Sequence, residues 1–134
     1  PKMILTPTYH VFHMYRPFQN ATSLPVDLKT GEYSYEKWSV PQISASAARA
    51  GDGSIVIGLV NLDPHRTARL SAAIDGANVK QVRGEILTAE AMDAHNTFER
   101  PNQVHPTDFK GARLDGHRLD VTLPSKSVVV LKLQ

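Results

Sequence analysis

Hydrophobic and polar positions change rhythm once along this chain, near residue 20. Before that point a short apolar run, Lys2-Met3-Ile4-Leu5-Thr6, stops at Thr6-Pro7-Thr8, and Thr8 stands where an N-cap would open a helix over Tyr9 to Phe18. Val11, Met14 or Tyr15, and Phe18 recur every three to four residues, a spacing that stacks them on one helical face. Pro17 must end or kink this helix, because it has no N–H to donate and crowds the turn before it. Strand, tight loop and amphipathic helix make half of a βαβ unit, and no later segment offers it a parallel partner.

From Asn20 onward the rhythm is that of β-strands. Tyr33 to Val40 is rich in aromatic and β-branched residues and reads as one strand, with Tyr33 and Tyr35 on one face and Trp38 on the other. Ile43 to Ala47 alternates apolar residues with serine, turns at Gly51-Asp52-Gly53 and continues as Ser54 to Val60, which predicts a hairpin. Further strands are predicted over Thr67 to Ile74, Val79 to Thr88, Arg118 to Leu123 and Ser127 to Leu133. They are separated by turns at Asp63-Pro64-His65, Asp75 to Asn78 and Pro124 to Lys126. Asp115-Gly116 supplies the positive φ of a two-residue hairpin turn just before Arg118. Short strands punctuated in this way predict a mainly β chain, an antiparallel β-sandwich. Glu90 to Gly111 has neither period, and an irregular stretch of that length inside a domain is either functional or held by a neighbour.

Size and charge narrow the picture. At 134 residues, 41% hydrophobic and 21% charged, the chain has room for one core and none for a barrel enzyme of its own. Fifteen Lys and Arg against thirteen Asp and Glu leave no basic run, so no nucleic-acid partner is expected. The absence of cysteine removes disulfides, thiolate metal sites and cysteine nucleophiles together. No apolar run reaches the roughly 18 to 20 residues of a membrane span, so no membrane partner is expected, and with no leader visible the expected location is cytoplasmic. A start at Pro1-Lys2-Met3 reads as sequence from the middle of a gene.

A search for chemistry returns little. Gly51-Asp52-Gly53 is followed by a strand where a phosphate-cradling helix would have to begin, so it reads as a turn. His10 and His13 stand three apart on the predicted helix but lack a third ligand, so no metal and no cofactor is expected. Most of the carboxylates sit in turns or on polar strand faces. Glu90, Asp93 and Glu99 on the long irregular stretch stand out, with capping and tethering as their expected roles. Tyr33, Tyr35 and Trp38 offer aromatic area to a sugar, but their split between two faces favours core and interface packing.

Two stretches carry a sharper signal. Lys2-Met3-Ile4-Leu5-Thr6-Pro7-Thr8-Tyr9-His10-Val11-Phe12-His13-Met14-Tyr15 resembles the closing strand and helix of the catalytic barrel in family 51 glycoside hydrolases, the α-L-arabinofuranosidases. Ile86 to Val104, with Ala94-His95-Asn96-Thr97-Phe98 at its centre, and Pro124 to Leu131 resemble the C-terminal sandwich of the same family.

The resemblance implies a β-sandwich of jelly-roll type over residues 20–134, preceded in residues 1–19 by the last strand and helix of a (β/α)8 barrel. It implies an enzyme that removes terminal non-reducing α-L-arabinofuranosyl groups from arabinan, arabinoxylan and arabino-oligosaccharides with retention of configuration. The two catalytic glutamates of such an enzyme belong to barrel strands upstream, and no residue here matches either motif, so no catalytic residue is carried over. Thr6, Thr8 and Tyr9, at the carboxyl end of the last barrel strand, are the implied lining of the sugar pocket; packing against the preceding barrel strand is the alternative. The implied partners are the upstream barrel, in the same polypeptide or as a separate chain, an arabinose-containing oligosaccharide, and further copies in a homo-oligomer. A stand-alone carbohydrate-binding or oligomerisation module is the competing reading. Without its barrel, the helix is expected to expose Val11, Met14, Tyr15 and Phe18.

Overall fold

Residues 55–61 and 127–133 are apolar at nearly every position, as strands must be when both of their faces are covered. In a computed structural model, which describes residues 2–134, they form the centre of the molecule. Pro1, the first residue of the expected barrel remnant, lies outside the described residues.

In chain order the elements are helix α1 (Pro7–Met14), a 3-10 turn (Arg16–Phe18), β1 (Thr22–Leu24), β2 (Glu32–Tyr35), β3 (Trp38–Pro41), β4 (Ile43–Arg49) and β5 (Ile55–Asn61). There follow β6 (Ala68–Ala73), β7 (Val82–Thr88), β8 (Thr107–Asp108), β9 (Ala112–Asp115), β10 (Arg118–Leu123) and β11 (Ser127–Leu133). One antiparallel sheet runs β1-β4-β5-β11-β7-β8, and a second runs β6-β10-β9. They pack face to face as a β-sandwich. Ile55 and Leu59 of β5 and Val129, Leu131 and Leu133 of β11 meet Leu119, Val121 and Leu123 of β10 in the main core.

The opposite face of the larger sheet is covered too. Val56, Leu87 and Val130 form a second cluster with Met14 of α1 and Val104 of the long irregular stretch, and Val11, Tyr15 and Phe18 pack against it. This corrects the expectation that the helix exposes its apolar stripe: Met14 is only 2% exposed. The reason lies in the strand beneath. A Cβ on Gly58 would come within 2.6 Å of the Tyr15 hydroxyl oxygen, so glycine there lets the hydroxyl end of the ring close onto the strand. Burial pushes the Tyr15 phenol pKa up.

Other details also depart from the sequence reading. The helix is capped by Thr6, not Thr8, with Pro7 as its first residue, where a missing N–H costs nothing. It ends at Met14, and Pro17 falls in the 3-10 turn. Residues 2–6 form no strand, and no strand among the described residues pairs with them.

The segment Tyr33 to Val40 is a hairpin rather than one strand: among the described residues β2 and β3 pair only with each other, around a turn at Glu36 and Lys37. Tyr35 stands directly opposite Trp38, and Tyr33 opposite Val40, so all four share one face. Glu32, Ser34 and Ser39 occupy the other face, where the Ser34 hydroxyl donates to Ser39 Oγ (3.1 Å) and the Ser39 hydroxyl donates to Glu32 (3.0 Å).

Candidate functional site

Register defines two ends of the sandwich. At the near end Ile43, Asn61, Ser127 and Thr88 line up across the large sheet; at the far end Arg49, Ile55, Leu133 and Val82 do. Of the three residues expected to line the sugar pocket, Thr6 caps α1 and Thr8 and Tyr9 lie in its first turn, whose Pro7 borders a hollow of about 250 Å³ beside Leu62 and Met92 at the near end.

The three do different things. Thr6 Oγ1 accepts from the Tyr9 backbone N–H at 3.1 Å, which commits its oxygen to capping. Thr8 is exposed. Tyr9 is 47% exposed, stacks on the His13 ring with centroids 6.1 Å apart and meets His10 edge-on at 5.5 Å. Beneath them His10 is buried, and its Nε2 has no hydrogen-bond partner among the described residues. Burial lowers the His10 pKa, and the neighbouring His105 and His13 push it the same way.

What fixes this turn in place is Asn96. Its amide Nδ2 donates to the Leu5 carbonyl and to the Val104 carbonyl, each at 2.8 Å, and its Oδ1 accepts from the Val104 N–H at 2.7 Å. One buried side chain thus ties the long irregular stretch to itself and to the residue preceding the helix cap. Within that stretch the His95 ring bonds the Asp93 carbonyl and the His105 ring bonds the Asn102 carbonyl, each through Nδ1 at 2.8 Å. Glu90, Asp93 and Glu99 are exposed, and none forms an ion pair among the described residues. No group of three or more His, Asp or Glu among the described residues could hold a metal, the His10 and His13 pair included.

A second polar cluster locks the near end. Asn61, almost fully buried, donates through Nδ2 to the carbonyls of Arg66 (2.9 Å), Leu123 (3.3 Å) and Pro124 (2.9 Å), and accepts from the Asp63 N–H (3.1 Å). Burial acts to raise the Asp63 pKa, but the His65 and Arg66 backbone N–H groups and the Arg66 guanidinium outweigh it and bring it down to about 2. The sequence marked Asp63 as a turn former, and it is one. Asn61, hidden at the end of an apolar run, carried no signal of its role.

At the far end a cleft of about 400 Å³ is lined by Arg49, Asp52, Ser54, Asn78 and Gln134, with no aromatic ring. Asp52 is held there by Lys132 at 2.7 Å and by Ser54, which together lower its pKa.

Comparison with known proteins bears on the whole chain. The profile of the family described as alpha-L-arabinofuranosidase C-terminal domain matches residues 1–127. The chain is 41% identical over 134 residues to an intracellular exo-alpha-L-arabinofuranosidase of Bacteroides ovatus, covering 99% of this chain and 26% of that protein. A crystal structure of the GH51 arabinofuranosidase from Xanthomonas axonopodis pv. citri superposes with a TM-score of 0.97 at 47% identity, over 99% of this chain and 27% of that one. A thermostable GH51 alpha-L-arabinofuranosidase from Thermotoga petrophila shares the fold, with a TM-score of 0.81 at 23% identity over 98% of this chain and 29% of its own. The chain thus spans about a quarter of the length of these relatives.

Proposed function

This chain belongs to the alpha-L-arabinofuranosidase C-terminal domain family, and on that premise we propose that it is the C-terminal part of a retaining family 51 α-L-arabinofuranosidase. The enzyme releases terminal non-reducing α-L-arabinofuranosyl residues from arabinan, arabinoxylan and arabino-oligosaccharides. Residues 1–19 are the closing strand and helix of its (β/α)8 barrel, and residues 20–134 its accessory sandwich, of jelly-roll type. The observation that carries this reading is the superposition on the Xanthomonas enzyme over 99% of the chain at 47% identity.

Chemistry supports a division of labour. Retention needs a nucleophile and an acid/base carboxylate about 5 to 5.5 Å apart. This chain supplies neither, and both belong to the barrel. Its own part is positioning. Asn96 holds the Leu5 carbonyl, so that the backbone entering α1 ends at a fixed point, and Thr6 caps the helix there. In the assembled enzyme residues 2–6 gain the neighbours a barrel strand requires, which places Thr8 and the exposed Tyr9 toward the sugar pocket. A cytoplasmic location agrees with the name of the Bacteroides relative, and a homo-oligomer is part of the same reading.

The test compares the full-length enzyme with this chain alone on an aryl α-L-arabinofuranoside. The full-length enzyme should hydrolyse it with retention, and the 134-residue chain should be silent. Turnover by the isolated chain, or none by the folded full-length protein, would sink the proposal.

A further inference from the structure

The hairpin of β2 and β3 has a two-sided design that the sandwich does not use. Its rear face is polar and internally hydrogen-bonded through Ser34, Ser39 and Glu32. Its front carries Tyr33, Tyr35, Trp38 and Val40 together. Tyr35 is 65% and Trp38 67% exposed, with the Lys37 ammonium 5.5 Å from the centroid of the Trp38 ring.

Among the described residues, the hydrogen bonds that tie the hairpin to the rest of the fold lie at its base. There the Gln42 N–H donates to the Gly31 carbonyl at 2.7 Å, and the Arg66 guanidinium, anchored by Asp63, donates to the Glu32 carbonyl at 2.6 Å. No third strand of the described residues joins it. A two-stranded hairpin is marginally stable in water on its own, and one that exposes an aromatic face is expected to be covered.

Its surroundings indicate by what. Among the described residues, the exposed large apolar side chains fall on residues 3–12, on residues 26–40, at Leu62, and at Met92 and Phe98, and none falls on the far-end turns. The hairpin base and Leu62 both lie at the near end, since the Leu62 N–H donates to the Gln42 carbonyl at 2.8 Å. Residues 2–6 lie at the same end, tethered there by Asn96 and followed by Pro7 in the hollow beside Leu62. This chain covers only 26% of the length of its Bacteroides relative and 27% of the Xanthomonas one.

We propose that the β2–β3 hairpin is a docking arm whose aromatic face, Tyr35, Trp38 and Val40, packs against the catalytic polypeptide that precedes this chain in the full-length enzyme. This rests on the functional reading above. Chain continuity brings that polypeptide in at the near end, and the arm extends from the same end. Its contact is a clamp some thirty residues downstream of the covalent link. Lys37 beside the Trp38 ring occupies space that a stacking sugar would need, which favours a protein surface over a glycan.

Hydroxyl-radical footprinting of the active full-length enzyme tests the arm. Trp38 is the single tryptophan of this chain, so its oxidation is followed on one tryptic peptide. Trp38 and Tyr35 should oxidise several-fold more slowly in the native enzyme than in its tryptic digest, while exposed His117 at the far-end turn reacts equally in both. Oxidation of Trp38 at the digest rate in a fully active enzyme would overturn the proposal. So would protection that arises only when arabino-oligosaccharide is added, which would assign the face to sugar, or protection lost on dilution to the monomer, which would assign it to a second copy. Activity is assayed on the same sample, so a folded but inactive enzyme counts against the functional reading and is told apart from a free arm.

Discussion

The two ends of this sandwich are built from the same strands and finished in opposite ways. At the far end the chain reverses through tight polar turns, with Gly53 and Gly76 at positive φ, and Gly116 likewise closing the β9–β10 hairpin. Exposed large apolar side chains are absent there among the described residues. At the near end, buried Asn61 and Asp63 lock the connections, Asn96 pins the irregular stretch, and apolar side chains from the first residues, the hairpin and Met92 stand in water. A domain made to stand alone would finish both ends like the first. The asymmetry is what the proposed docking of the near end against a preceding polypeptide requires.

Breaking the near-end lock should have the largest effect. Asn61→Ala removes the Nδ2 donor shared by the Arg66, Leu123 and Pro124 carbonyls and the acceptor of the Asp63 N–H, and should cost about 3 kcal/mol, read as a lowered urea midpoint. Gly58→Val would force Tyr15 off the sheet and should cost about 2 kcal/mol, with faster amide exchange in α1 than in β10.

Acid should separate the regions in a defined order. The folded His10 pKa lies below the ordinary 6.5, so as pH falls through that value the unfolded chain takes up a proton that the folded chain refuses, and stability drops. His10→Phe should remove this dependence of the α1 amide exchange rates. Asp63 acts lower: its stabilisation is complete above 3.8 and is lost as pH falls toward about 2, a loss that Asp63→Asn should abolish in urea titrations. The smallest change belongs to the far end. Asp52 and Lys132 are both about half exposed, so Asp52→Asn should leave the melting temperature within error of the parent despite the short 2.7 Å contact. A clear drop would mean that the far end is a locked end as well.

The sequence disclosed those elements whose causes are local. Arg118 to Leu123 and Ser127 to Leu133 have the bounds read from their pattern, because alternation and flanking turns specify them. The hairpin escapes the sequence pattern because its turn hinges on Glu36, at φ 51°, where no glycine, asparagine or proline announces a reversal. That single error moved Trp38 to the wrong face. For the cap, Pro7 was the usable signal, since proline favours the first helical position and points to Thr6. Asn96 stood inside the stretch that resembles the family, yet its partner Leu5 is 91 residues away, a separation no local pattern encodes. Likewise the burial of Met14 depends on the missing side chain of Gly58, a residue that reads as an ordinary interruption of an apolar run.

Trp38, the lone indole of the chain, sits on the hairpin and belongs to neither hydrophobic cluster. Its emission therefore reports the arm and is blind to the core. In a denaturation experiment fluorescence and far-ultraviolet circular dichroism need not move together, and their divergence would signal a loosened appendage rather than a folding intermediate.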